Sequence, residues 1–377
     1  MNRRLLVMAS LFYPQKNGGG PIISIKNVVD QLKNDYEITV ISKNHEINQK
    51  MPLAGIKNGW NDMDFGKAYY FPYGQHRIIS VLSIIKKINP DIIYQNSFFS
   101  FDDVIPVFLY KRYFNTKVKI VIAPRGEFYP KRLQTGRTKK LLYVSLLRSL
   151  GLLSRVCFQG TGEEECRYIN SFLGVKQEQI YDISNITFVN KNNLRIIEKK
   201  TGELRLVYIA RIHPTKNLLG AITYLKGVKG SITFDIWGAI EDERYWNHCM
   251  KEISEFPPEI KVTYKGTLQH DLVCKTISEY HVYYMPTLGE NYGHSIVEAL
   301  MSERPVIISD QTPWTDLNEM AGRALPLEES EKFTEAVQAF CDMDNKTFAF
   351  VCKNAGCYID KKLNIAETVQ KYKDAFS

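Results

Sequence analysis

Residues 281–310 read HVYYMPTLGENYGHSIVEALMSERPVIISD, and the order of residue types is that of strand, loop, helix and strand. The run 281–287 is apolar and aromatic, as a buried strand requires. Residues 288–293 hold two glycines and one carboxylate, Glu290, which is loop composition. Residues 295–301 follow a helical pattern, and 305–309 form a second short apolar strand. A glycine-bearing loop between a strand and a helix puts backbone N–H groups and a helix N-terminus at one spot, which favours an anion such as a diphosphate. Two carboxylates flank that spot, Glu290 in the loop and Glu298 one turn into the helix. A plainer reading stands beside this one. Ser295-x-x-Glu298 has the spacing of a capping box, in which Glu298 only ties the start of its own helix. Glu290 is then a solvated loop acid.

The same strand–loop–helix unit recurs along the chain. Residues 4–10 read as the first strand, followed by PQKNGGGP at 14–21 and a helix at 22–33. This is the opening of a dinucleotide-type half without the G-x-G-x-x-G fingerprint, and its plainer reading is a flexible turn. Strands at 36–42, 68–71, 91–95 and 118–123 then alternate with helices at 78–88 and 102–114, which implies a parallel sheet covered on both faces. Residues 45–66 show no periodicity and read as a loop region. APRGEF at 123–128 follows a strand end, where ligands bind in open α/β sheets. There Arg125 is a candidate for a phosphate or sugar oxygen and Glu127 for a hydroxyl or a proton; a surface ion pair is the alternative. A segment at 156–160 and a helix from 162 close this half.

The pattern restarts after a linker placed near 186–202. A strand at 204–210 leads to Arg211-Ile-His-Pro-Thr-Lys216 and a helix from Asn217. Two cations five apart around a turn can converge on one diphosphate, Arg through its fork and Lys as a point charge. Further turns follow strands at 232–237, with Gly238, and at 260–265, with Gly266, Thr267 and Leu268. His270 reads as a surface histidine. Helices at 327–341, 346–360 and 365–376 end the chain.

Composition bounds the class. At 377 residues, with 44% hydrophobic and 24% charged, the chain accommodates two α/β domains and is not disordered. A formal charge of +8 points to an anionic partner: nucleotide, phospholipid surface or nucleic acid. Seven scattered cysteines, odd in number and without C-x-x-C, argue against a disulfide framework or a zinc site and for reduced thiols in the cytoplasm. The opening MNRRLLVMASLFYP is too short an apolar run for a signal peptide and leads into a glycine-rich turn, as a first strand would. No stretch approaches the roughly 20 apolar residues of a membrane span. From 129 to 161 there is no acid, while Lys131, Arg132, Arg137, Lys139, Lys140, Arg148 and Arg155 alternate with Leu141, Leu142, Val144, Leu146, Leu147 and Leu150. A basic amphipathic helix suits an anionic membrane surface, here through Lys131, Arg132, Lys139 and Lys140. The alternative is a core helix with a solvated basic face. Nucleic acid is not expected.

The string ENYGHSIVEAL at 290–300, with PVIISD at 305–310, closely resembles the E-x7-E signature of the retaining glycosyltransferases of family 4, without a gap over 286–310. The resemblance implies the GT-B fold: two Rossmann-like α/β domains facing across a cleft. Residues 1–190 would take the acceptor and 200–360 the nucleotide-sugar donor. A last helix in 361–377 would return to the first domain. It also implies roles. Gly19 and Gly20, with Gly18 as the register alternative, match a glycine loop facing the donor diphosphate. Arg211 and Lys216 match the G-R-x-x-x-x-K phosphate clamp, with Ala210 in place of its glycine. Glu290 would bond the donor sugar and Glu298 the ribose. Asn291, Tyr292, Gly293, His294 and Ser295 would line the diphosphate, and Gly238 and Thr267 the turns near the base. PRGEF and Thr312-Pro313-Trp314 look like strings of bacterial polysaccharide-assembly members. Other members carry a histidine where Arg125 stands, which leaves the role of Arg125 open. The implied activity is metal-independent, retaining transfer of a hexose-type sugar from a UDP- or GDP-linked donor, with no cofactor. The implied acceptor is a glycan or lipid-linked glycan of capsule, O-antigen, lipopolysaccharide or exopolysaccharide. The implied place is the cytoplasm, peripheral at the inner face of the cell membrane. The alternatives are a sugar-nucleotide epimerase of the same fold and a non-catalytic nucleotide-binding partner.

Overall fold

The computed structural model describes residues 2–15, 20–47, 49–187, 194–195, 197–317 and 320–377; the side chain of Lys131 lies outside that description. The chain divides into two units, one of Met1–Ile186 with Ile365–Ser377 and one of Thr187–Asn364.

The first unit is built on an eight-stranded sheet. Its strands are β1 (Arg3–Ala9), β2 (Tyr36–Lys43), β3 (Gly59–Met63), β4 (Gly66–Phe71), β5 (Ile92–Asn96), β6 (Lys119–Ala123), β7 (Cys157–Gly160) and β8 (Ile180–Asp182). They lie in the order β3-β4-β2-β1-β5-β6-β7-β8. All neighbours are parallel except β3 and β4. The continuous apolar runs of the central strands have a physical cause: each face of the sheet has its own core. Leu6, Met8, Ile93, Ile120 and Ile122 pack on one side beneath α2 (Ile78–Ile88), α3 (Phe101–Tyr113), α5 (Arg137–Ser149) and α6 (Glu163–Leu173). Leu5, Val7, Ile92, Tyr94 and Val121 pack on the other. There they meet α1 (Gly20–Leu32) and α13 (Ile365–Phe376), the latter through Tyr372, Ala375 and Phe376. The short α4 (Pro130–Gln134) precedes α5.

One expectation fails here. Residues 45–66 are not all loop, because β3 pairs antiparallel with β4, with Trp60 opposite Tyr69. The strand reads GWNDM, lies at the sheet edge and buries none of its residues fully, so it carries no apolar signal.

The second unit holds a six-stranded, all-parallel sheet of β9 (Glu203–Ile209), β10 (Ser231–Trp237), β11 (Ile260–Tyr264), β12 (Val282–Met285), β13 (Val306–Ser309) and β14 (Gly322–Leu325). The order is β11-β10-β9-β12-β13-β14. Its helices are α7 (Leu218–Thr223), α8 (Glu243–Ile253), α9 (Val273–Ile277), α10 (His294–Met301), α11 (Ser330–Asp342) and α12 (Asn345–Lys362). The loops after β9 to β13 therefore share the carboxyl edge of one parallel sheet, the edge at which open α/β sheets bind ligands.

Candidate functional site

The loop after β9 is held from both sides because β9 lies between β10 and β12. On the β10 side, Ala210 N–H donates to Trp237 O at 3.1 Å and Ile212 N–H to Ala239 O at 2.8 Å. Gly238, with φ +151°, is required for this approach: a Cβ there would stand 1.8 Å from the Ala210 carbonyl oxygen. On the β12 side, Leu288 N–H donates to Thr215 O at 2.9 Å, and Asn217 Nδ2 donates to Pro286 O at 2.8 Å. Asn217 adopts the left-handed region that asparagine tolerates, and its side chain caps α7 by accepting from Gly220 N–H. Arg211 and Lys216 thus sit at the two ends of a turn pinned to two neighbouring strand ends.

Each cation meets a different acid. The Lys216 Nζ donates to Glu290 Oε1, with both side chains largely buried. The exposed Arg211 pairs with Glu241 Oε2 at 2.6 Å, across to the loop after β10. Glu290 is fixed by its own backbone as well, its N–H donating to Gln311 O at 2.9 Å. The loop behind it is closed by Trp314, whose Nε1–H donates to Tyr292 O at 2.6 Å and whose ring meets Tyr292 edge-on.

The start of α10 differs from the capping-box expectation. Its N-cap is Gly293, left-handed at φ +73°, with no side-chain cap. Ser295 is already inside the helix, and its hydroxyl shares a 2.6 Å hydrogen bond with the Tyr283 hydroxyl. Glu298 does not reach back. Its carboxylate, in a residue only 3% exposed, lies 2.8 Å from His270 Nε2. Burial pushes the His270 ring down, but the hydrogen bond and negative charge of Glu298, with Asp271, outweigh it and hold the pKa above the usual histidine value. Asn291, His294 and Ser295 are half-buried at this helix start, and Thr267 is exposed on the loop after β11.

In the first unit the PRGEF candidates are occupied internally. Arg125, left-handed at φ +55°, donates to Asn96 Oδ1 at 2.9 and 3.1 Å, to the Tyr94 hydroxyl at 2.7 Å and to Asn185 Oδ1 at 2.5 Å. The Tyr94 hydroxyl passes on to Gln159 Oε1, whose amide donates to the Tyr372 hydroxyl of α13. Glu127 accepts from the Ser97 hydroxyl and from the N–H groups of Phe98 and Phe99. Burial nonetheless pushes its carboxyl above the usual range. Gly20 opens α1, while Gly18 and Gly19 lie outside the described residues.

In α5, Val144 and Leu147 face the core, whereas Leu141, Leu142, Leu146 and the C-cap residue Leu150 are exposed. Residues 142, 146 and 150 repeat every four positions and share one helix face. Arg132 on α4 and Arg137 and Lys139 in the first turn of α5 are exposed, and half-buried Lys140 lies 5.0 Å from the Phe99 ring. No described helix is long and apolar enough to cross a membrane.

Two Asp-x-Asp strings occur, at 62–64 and 342–344, and neither sits at this edge. Asp64 lies near Lys26 and Lys33, and Asp344 caps α12 by accepting from Thr347 N–H. Sequence spacing did not mark His270, Glu241 or the Trp314 clamp. By contrast, Asn217 beside Lys216 carried a local signal, as an N-cap residue type.

Residues 189–350 match the family model described as Glycosyl transferases group 1. No curated protein matches the sequence. Among solved structures, sucrose-phosphate synthase from Thermosynechococcus elongatus is similar with a TM-score of 0.73 at 12% identity, over 100% of this chain and 98% of that one. Anabaena Alr3699/HepE in complex with UDP and glucose gives 0.70 at 13%, over 99% of each chain. A mutant of S. aureus TarM in complex with Fondaparinux, alpha-GlcNAc-glycerol and UDP gives 0.70 at 12%, over 100% of each. At these identities the likeness is one of fold. The second unit carries the glycosyl transferases group 1 match, and the pair of parallel-sheet α/β units is the fold of the GT-B glycosyltransferases.

Proposed function

We propose that the chain is a retaining, metal-independent glycosyltransferase of family 4. It moves a hexose-type sugar from a UDP- or GDP-linked donor to a glycan or lipid-linked glycan in surface-polysaccharide synthesis. The observation that carries this reading is the Lys216–Glu290 pair, set beside the start of α10 at the carboxyl edge of the second sheet. This edge lies within the segment that matches glycosyl transferases group 1. The HepE neighbour is solved with UDP-glucose, a donor of the class meant here.

In this reading Lys216, Arg211 and the first N–H groups of α10 hold the donor diphosphate. The bond from C1 of the sugar to the phosphate oxygen breaks with its electron pair going to the phosphate, and these donors meet the growing charge. The acceptor oxygen bonds to C1 on the face the nucleotide leaves, and its proton passes to the departing phosphate oxygen. Glu290 bonds the sugar hydroxyls and Glu298 the ribose, with Asn291, Tyr292, Gly293, His294 and Ser295 shaping the loop between them. Neither glutamate is the acid or nucleophile of a hydrolase. Gly238 and Thr267 belong to the turns beside the base. Arg125 and Glu127 act by shaping the first unit, since both are held by neighbours there.

The outward leucines of α5 and the basic residues of α4 and α5 support docking on an anionic membrane, with the enzyme peripheral at the cytoplasmic face. The test of the activity is a panel of UDP- and GDP-sugars, screened by thermal stabilisation and then incubated with and without glycan acceptors. Acceptor-dependent release of nucleotide with an axial or equatorial linkage matching the donor supports the reading. A new sugar nucleotide formed without acceptor identifies an epimerase, and binding without turnover identifies a non-catalytic partner.

A further inference from the structure

We infer that His270 is a positioning residue for the nucleoside end of the donor. It holds one oxygen of the Glu298 carboxylate so that the other is presented to the ribose hydroxyls. The inference rests on the nucleotide-sugar reading for its ligand and on three observations for the residue itself.

Glu298 is buried, yet among the described residues His270 is the sole hydrogen-bond partner of its carboxylate, through Oε1 at 2.8 Å. A buried carboxylate is ordinarily satisfied at both oxygens. Acceptor capacity therefore remains at Oε2. The second observation is origin. His270 stands on the turn that follows β11, and Glu298 on α10, so one hydrogen bond ties the loop after β11 to the helix after β12. The third is exposure. The His270 side chain is 51% exposed, at the sheet edge where a ligand arrives. A histidine kept for structure looks different here. His281 is 2% exposed, accepts from Arg205 N–H, and is pushed by burial down to about 4.

The charges that act on the His270 ring are Glu298 from α10 and Asp271 from its own turn. Cys274 of α9 faces Glu298, but burial pushes its thiol up to about 12, so it stays neutral. Tyr283 of β12 also faces Glu298 and is held well above its usual value by burial. The imidazole is therefore the group on this side that carries a hydrogen bond to the carboxylate.

The test is a cycle between the side chain and the ribose hydroxyls. Affinities of UDP and GDP, and of their 2′,3′-dideoxy counterparts, are measured by calorimetry for wild type, His270→Ala, His270→Gln and Glu298→Gln. In the wild type, loss of the hydroxyls should weaken binding by about tenfold or more, as for a hydrogen bond to a charged group. In His270→Ala that ratio should fall to roughly threefold or less, while dideoxynucleotide affinity changes little; His270→Gln, which keeps a donor, should recover most of it. A wild-type ratio in His270→Ala overturns the positioning role, and so does an equal loss for both ligand types, the mark of a merely structural residue. If Glu298→Gln loses the ratio in that case, the ribose reading stands without His270. If Glu298→Gln keeps it, or the wild type binds neither UDP nor GDP, the nucleotide reading falls along with the inference.

Discussion

Lys216 and Glu290 are 74 residues apart in sequence and form an ion pair whose side chains are only 16% and 14% exposed. The pair exists because the 213–217 turn is bonded to the 286–290 loop at Thr215 and Asn217. Without a donor, each charge satisfies the other. In the proposed reading the donor takes over both groups, the ammonium meeting the diphosphate and the carboxylate the sugar, so that the ligand would replace a contact already desolvated.

Lys216→Ala should accordingly do two things, and Arg211→Ala one. Both should lower turnover by about 100-fold, as the loss of one preorganised donor does. Lys216→Ala should also lower the melting temperature by roughly 2–4 °C, about 1 kcal/mol, because Glu290 is left partly buried and unpaired. The exposed Arg211–Glu241 pair should cost little stability when broken. Wild-type turnover in both variants would remove the clamp.

Glutamine at 290 and glutamine at 298 should separate. Glu290→Gln is expected to impair sugar transfer while free nucleotide still binds. Glu298→Gln is expected to weaken free nucleotide as well. Calorimetry with UDP and GDP reads this directly, and unchanged nucleotide affinity in Glu298→Gln would end its ribose role.

Stability should carry a pH signature from the His270–Glu298 contact. The folded pKa of His270 lies above its unfolded value, so the stabilisation is fully present below the unfolded pKa of about 6.5 and is lost as pH rises through the folded one. The melting-temperature gap between wild type and His270→Asn should be widest near about pH 6 and narrow toward about pH 9. A gap that is flat with pH would mean the imidazole is not the titrating group.

For α5 the expected readout is vesicle sedimentation. Neutralising Arg132, Lys139 and Lys140 should weaken binding to anionic vesicles strongly and to neutral ones little, at roughly 1 kcal/mol per residue, with added salt masking the difference. Leu142→Ser with Leu146→Ser should weaken both, since these side chains are outward and contribute nothing to the core. Equal sedimentation of all forms at low salt would leave α5 as a solvated helix.

The parallel architecture was legible because each sheet is buried on both faces, and continuous runs such as LLVMA and VYYM record that burial. What local spacing missed has one cause: the deciding partner is remote. Ser295-x-x-Glu298 has capping-box spacing, but Ser295 finds Tyr283 and Glu298 finds His270, 28 residues away. Arg125 and Glu127 read as ligand-facing because their string follows a strand end. Their partners, Asn96, Asn185 and Ser97, lie 29, 60 and 30 residues off. The strand β3 was invisible for the opposite reason, since a polar edge strand leaves no apolar pattern to read.

The α13 helix has a consequence for biosynthesis. Its Tyr372 and Phe376 pack edge-on and tilted against Tyr94 in the centre of the first sheet, and Gln159 ties Tyr372 into the Arg125 network. The first unit is therefore finished by residues translated after the whole of the second. On the ribosome, Thr187–Asn364 is a contiguous stretch that can close its core as soon as it emerges, while the earlier-made half waits with one face of its sheet covered by α1 but still lacking α13. A released chain that stops at residue 364 should thus present a protease-resistant second unit and a protease-sensitive first one, the reverse of the order of synthesis.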